Sequence, residues 1–290
     1  MVKKTVLTIG LSLLLFSTFA GGTESKISRG YSQALKTTVD SLKNRELSKV
    51  IKDASVAVWE TKRALSLLRK EKREEALTSL RRVYSLLEKL EGEYEIKRFP
   101  VDVKFVEFST KLDLKQAQNY NRRVKKLTAE NDFVSARFLL NLLRDEIDIV
   151  TTYLPLDVYK NAVDLAIKLV EDGKISSAVL VLESALSTLE LETTVVPKPP
   201  LKAQAFINFA QKLYKIDPYS ALKLVKKAKR ELKMTVVLGY ARSDKDLKGV
   251  METLEELKKA IKERLANVNE KFEETKQKLQ ELRENLTVSH

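Results

Sequence analysis

Apolar positions recur at helical spacing along most of this chain. Val50, Ala54, Val58, Leu65 and Leu68 predict a helical stretch from Leu42 to Leu68, and a second helix is predicted from Glu74 to Leu90, beyond a polar joint at Arg69 to Arg73. The pattern changes between Tyr94 and Phe108. Pro100 interrupts it, and Val101, Val103 and Phe105 alternate with Asp102 and Lys104, which predicts a loop with one short strand. Helical spacing returns from Leu112 to Glu130, Phe133 to Val150, Leu156 to Val170 and Ile175 to Leu191. Tyr153-Leu154-Pro155-Leu156 then reads as a tight joint between two helices, because a proline is tolerated in a first turn and pushes the residue before it out of the helical region.

Further boundaries come from caps and breakers. Asn131 and Asp132 can cap the helix that follows them, and Gly173 suits the left-handed position that ends one. Val195-Val196-Pro197-Lys198-Pro199-Pro200 reads as a stiff non-helical link. Helices resume from Leu201 to Tyr214 and Tyr219 to Leu232, with Asp217-Pro218 as cap and first-turn proline. Met234 to Tyr240 looks extended and could pair with Thr193 to Val196 or Val101 to Val106.

Four segments share a polar turn followed by a helix with an early alanine, at Ala76, Ala136, Ala178 and Ala221. A small residue lets two helices approach closely, so the recurrence predicts stacked antiparallel hairpins. The intervals of 60, 42 and 43 residues are too uneven for a strict solenoid. The tail, Asp244 to Leu286, reads as one long coiled-coil-like helix. Leu247, Val250, Leu254, Leu257 and Ile261 form one register, and Leu265, Val268, Phe272, Thr275, Leu279, Leu282 and Leu286 resume it after a four-residue step. Such a seam serves either as a strut along the body or as a homo-oligomer contact through residues 244–286. The expected fold class is therefore all-α: a bundle of antiparallel helical hairpins (21–243), a long C-terminal helix (244–290) and at most a few short strands.

Residues 1–20 add a destination. Lys3 and Lys4, an apolar run from Val6 to Phe16 and Thr18-Phe19-Ala20 read as a secretory signal cleaved near Ala20, which predicts an exported, periplasmic protein; a retained anchor helix is the alternative. There is no cysteine among the 290 residues, so stability outside the cytoplasm must come from packing. High Lys and Glu content with no cysteine fits a hot environment.

The formal charge is +13, and the basic clusters lie at Arg69 to Arg73, Arg122 to Lys126 and Lys223 to Lys233. The tail carries 10 basic and 11 acidic residues and adds nothing to the excess. Export and the lack of interleaved aromatics argue against nucleic acid. The clusters read first as solvated helix faces, then as attraction to an anionic membrane surface or an acidic ligand.

The chemistry on offer is narrow. The only histidine is His290, there is no cysteine, and the eight glycines form no phosphate loop, so no catalytic residue, metal site or cofactor is predicted. Carboxylates remain, at Asp145, Glu146, Asp148 and Asp157. An ion-paired cluster of Arg144, Asp145 and Glu146 is the first reading, ahead of an acid–base pair. Tyr153 and Tyr159 flank the Leu154-Pro155-Leu156 elbow, and Trp59 lies on an early helix. Core packing is the default for all three, but aromatics with a basic neighbour could also line a ligand pocket. The candidate ligand-binding set is Arg144, Glu146, Tyr153, Pro155, Tyr159 and Trp59.

The run from Ala136 to Ile147, then Thr151-Thr152-Tyr153-Leu154-Pro155-Leu156, resembles the YfdX family of exported bacterial proteins. So do Ala162 with Ala166, the Gly173-Lys174 turn, and Ala178 to Leu189 leading into Val195-Val196-Pro197-Lys198-Pro199. The likeness spans about residues 40–235. It departs at Lys198, where a more apolar residue is expected, and in the charged tail. The resemblance implies a helix-rich periplasmic protein without catalysis, linked to stress and multidrug response and to binding amphiphilic, drug-like small molecules. The alternative is a helical scaffold or chaperone-like module that uses the C-terminal helix.

Overall fold

The computed structural model describes residues 22–289; the secretory signal read at 1–20 and the histidine at 290 lie outside them. A first helix, α1 (Gly22–Leu47), precedes a motif that occurs three times: two antiparallel helices followed by a strand. Its copies are α2 (Lys52–Leu68), α3 (Arg73–Glu93) and β1 (Arg98–Glu107); α4 (Leu114–Ala129), α5 (Phe133–Leu142) and β2 (Glu146–Pro155); and α6 (Leu156–Glu171), α7 (Ile175–Ser187) and β3 (Glu190–Pro197). A fourth hairpin, α8 (Lys198–Tyr214) with α9 (Pro218–Val237), leads into the tail helices α10 (Lys248–Glu263) and α11 (Val268–Leu286) and a two-residue strand, β4 (Val288–Ser289).

One turn closes all three hairpins of the repeat. Glu71, Asn131 and Gly173 each sit in the left-handed region, with φ of 60, 60 and 77°. Each N–H bonds back three residues (to Leu68, Thr128 and Val170), and the next N–H bonds back five (to Leu67, Leu127 and Leu169), which satisfies the last carbonyls of the first helix. Five residues beyond each turn residue stands the early alanine, and Ala76, Ala136, Ala178 and Ala221 are all buried where the paired helices touch. Asp132 caps α5 by accepting from the Ser135 N–H (3.0 Å), and Asp217 caps α9 through Ser220 (3.0 Å), as their positions predicted.

The strands form an antiparallel sheet in the order β1-β2-β3-β4, with Val103 opposite Thr151 and Val150 opposite Thr193; a bulge lies at Val101, between the Pro100 and Asp102 pairings. Because successive strands run in opposite directions, their hairpins leave from opposite ends. At one end α2, α3, α6 and α7 bury Leu80, Leu87, Tyr159, Val163 and Leu182 between them. At the other, α8 and α9 pack with α10 and α11, and α4 and α5 lie against α9. Helix α1 crosses one sheet face, resting Val39 and Leu42 on Ile147, Ile149 and Val196. It approaches α8 so closely that a Cβ on Gly30 would lie 2.2 Å from the Phe209 ring, so a larger residue there would have to displace that ring.

The fold is mostly helical with one small sheet, yet several elements differ from expectation. The predicted helix Leu42 to Leu68 is interrupted between Leu47 and Lys52. The predicted helix Phe133 to Val150 stops at Leu142. From Glu146 the β-branched run Ile-Asp-Ile-Val-Thr-Thr forms the central strand, placing Ile147 and Ile149 on the buried face. Tyr153 to Leu156 is therefore a strand-to-helix corner, not a joint between helices, with Pro155 at the N-cap of α6. Helix α7 ends at Ser187 and Glu190–Pro197 pairs with β2. The link read at Val195 to Pro200 divides. Pro199 and Pro200 occupy the first turn of α8, where a missing N–H costs nothing. Met234 to Val237 continues α9, and Gly239 (φ 86°) follows its end.

The tail is the largest correction. It is not one helix from Asp244 to Leu286 but a hairpin of α10 and α11, reversing at Arg264 (φ 53°) with the Leu265 N–H bonded to the Ala260 carbonyl (3.1 Å). The four-residue step between Ile261 and Leu265 marks this reversal. Both halves of the seam, from Leu247, Leu254 and Leu257 to Val268, Phe272 and Leu279, are buried against α8 and α9. The surface read as a homo-oligomer contact is thus covered by the chain's own helices.

Candidate functional site

The sequence-predicted site residues fall in three places. Tyr159 is fully buried among α2, α3 and α6, where burial pushes its phenol well above the usual range. Trp59 points outward, 59% exposed, with Arg63 over its ring at 5.8 Å; it lines none of the cavities described below. Arg144 and Glu146 stand at the start of β2, while Tyr153 and Pro155 lie at its other end, roughly 24 Å away at the rise of an extended chain. They do not share one pocket.

Arg144 and Glu146 belong to an ion-paired cluster, as the first reading of these residues expected. The Arg144 Nε donates to Glu146, its Nη2 donates to Asp148 (2.7 Å), and its guanidinium lies 3.3 Å from the centre of the Phe108 ring. Glu146 also accepts from the Tyr240 hydroxyl (2.7 Å), which in turn accepts the Asp145 N–H (2.8 Å). Asp145 is 1% exposed and is matched by Lys202 at 2.6 Å. Burial works against the charge on Arg144, but Glu146 and Asp148 outweigh it and raise its affinity for the proton. Arg144 and Tyr240 hold Glu146, and Lys202 holds one oxygen of Asp145, so the cluster anchors the end of β2 to α8 and to the segment after α9. A cavity of about 320 Å³ lies beyond it, between α8 and α9, where burial raises the pKa of the Glu231 carboxyl while Lys202 opposes the rise.

Tyr153 faces a different cavity. A crevice of about 330 Å³ opens on the sheet face that α1 crosses, floored by Val103, Ile149, Thr151, Tyr153, Thr194 and Val196. Strand alternation selects this floor: Ile149, Thr151 and Tyr153 are alternate residues of β2, so they point to one side. Arg98 covers the Tyr153 ring at 4.2 Å. Burial, with Glu192 second, raises the Tyr153 pKa. The opposite walls come from the end of α1 (Leu42, Arg45, Glu46, Lys49) and from α11 with the segment after it (Arg283, Glu284, Thr287, Ser289).

Sequence reasoning found Tyr153 and missed Arg45 and Arg283. Both arginines sit among many surface cations in amphipathic helices, and only the packing of α1 and α11 against the same helix, α8, brings them to one crevice. Among the described residues no helix is long and apolar enough to cross a membrane, and no group of three or more acidic or histidine side chains is placed to hold a metal ion.

Residues 57–195 match the family model described as "YfdX protein". No curated protein matches the chain. Among solved structures, YfdX of Salmonella Typhi is similar over 51% of this chain and 92% of its own, at 16% identity and a TM-score of 0.36.

Proposed function

Residues 57–195 belong to the YfdX family, and from that premise we propose that this protein is a non-catalytic, exported binding protein that holds amphiphilic small molecules in the crevice over Tyr153. One observation carries the reading. The crevice sets a floor of Val103, Ile149 and Val196 interleaved with Thr151 and Thr194, and an aromatic ring, against polar and cationic walls, a combination that suits a ligand with one apolar and one polar end. The resemblance supports a role in stress tolerance, which sequestration of such compounds in the periplasm would serve. The residues that looked capable of acid–base work support this reading too, since Arg144 and Tyr240 hold Glu146, and Lys202 pairs with one oxygen of Asp145.

The test is a thermal-shift screen of the full chain with amphiphiles of both charges. Compounds that bind the folded form raise the melting temperature in proportion to the logarithm of their concentration, and a flat response across the panel sinks the proposal. Arg98→Ala, which removes the cover from the Tyr153 ring, is expected to weaken any hit several-fold.

A further inference from the structure

Resting on that reading, we propose that the crevice selects anionic amphiphiles, with the apolar chain over Tyr153 and the head group between Arg45 and Arg283. Leu42, Arg45 and Arg283 line the Tyr153 crevice and also a second cavity of about 690 Å³ that continues between α1 and α11. Both spaces have mixed linings. The first has Val103, Ile149 and Val196 interleaved with Thr151 and Thr194 around the Tyr153 ring, whereas the second is lined by hydroxyls and amides such as Thr37, Ser41, Gln204, Asn208 and Gln280. The arginines stand where the two spaces meet.

Arg45 is paired with Glu46, but Arg283 has no acceptor within hydrogen-bond reach. The Arg283 side chain is only 16% exposed, and its nearest carboxylate oxygen, on Glu284, is 4.0 Å away, beyond hydrogen-bond reach. The other acids of the crevice are engaged elsewhere: Glu46 with Arg45 (3.2 Å) and Lys49 (2.5 Å), and Glu192 with Arg98 (3.4 Å). Burial first, and the like charge of Arg45 second, lower the pKa of the Arg283 guanidinium from its ordinary value. A guanidinium held largely out of water beside a second one is costly, and a carboxylate or phosphate placed between them supplies the missing acceptors in the geometry this group favours. The chain already offers hydroxyls nearby, at Thr287 and at the Thr194–Ser289 pair (2.9 Å).

The experiment measures binding of octanoate, octyl phosphate, octyltrimethylammonium, 1-octanol and acetate to the full chain by calorimetry, then repeats it on Arg283→Met and Arg45→Met. Octanoate or octyl phosphate should bind at least tenfold tighter than octanol and the cation. Acetate should bind weakly, and either substitution should remove the advantage of the anions while leaving octanol unchanged. Equal affinity for octanoate, octanol and the cation, unaltered by the substitutions, overturns the head-group assignment and leaves the amphiphile reading standing. No binding by any eight-carbon probe overturns both. Binding to phosphatidylglycerol vesicles without binding to octanoate also overturns the proposal and makes this face a membrane contact. Retained octanol affinity in the variants is the internal check that they fold.

Discussion

Two arginines differ in what meets their charge: Arg144 donates to two carboxylates, and Arg283 donates to none within hydrogen-bond reach. Arg144 is 31% exposed yet donates to Glu146 and Asp148 and rests on Phe108; Arg283 is more deeply enclosed, stands beside a second arginine, and has its nearest carboxylate, on Glu284, at 4.0 Å. The contrast teaches that enclosure of a charge is uninformative until its partners are counted. A satisfied ion cluster fixes architecture, and an unsatisfied one is a place for something else to bind.

The comparison breaks most visibly at Arg144. Replacing it with Met strands Glu146 and Asp148, whose Oδ1 already lacks a partner among the described residues. After a discount for partial exposure the expected cost is about 2 kcal/mol in urea unfolding, with the slope unchanged. A loss under a quarter of that would return the cluster to the pool of candidate sites. Arg283→Met should move the other way, stabilising the ligand-free chain by up to about 1 kcal/mol, or a rise of roughly 2 °C in melting temperature. A fall of that size would make Arg283 structural.

The smallest effect belongs to an exposed pair that sharpens the scale. Hydrogen bonds from Lys229 and Lys258 hold the Glu255 carboxyl down to about 2. A carboxyl depressed in the folded state stabilises above its unfolded pKa and loses that contribution as pH falls toward its folded value. Glu255→Gln should therefore cost about 0.5 kcal/mol near neutrality and nothing near pH 2, since the pair is almost half exposed and screened by salt. An undiminished cost at high salt would contradict that surface character.

Much of the architecture was legible because it is local. The alanines at 76, 136, 178 and 221, the cap at Asp132 and the glycine at 173 announce hairpins through contacts within a few residues. What failed depends on distant partners. Ile147 to Thr152 suits a helix or a strand, and only pairing with both β1 and β3 decides it. The tail seam has the same spacing whether it faces a second chain or folds back on α8, and its four-residue step carries no glycine or proline to mark a turn. The site divides along the same line. Arg144, Asp145 and Glu146 are neighbours in sequence and were read together, whereas Arg45 and Arg283 are brought together by tertiary packing alone.

Placing a helical hairpin between β1 and β2, and another between β2 and β3, also sets the order in which the chain can assemble. The hairpins close over turns of three or four residues and can form within microseconds, while the first ladder, between Arg98 and Pro155, must wait for the whole of α4 and α5 to be made and folded aside. In the interval β2 presents two unpaired edges of Ile, Val and Thr, flanked by Asp145, Glu146 and Asp148. Those acids then serve as gatekeepers of a nascent strand, so stripping them would first be felt as aggregation during refolding.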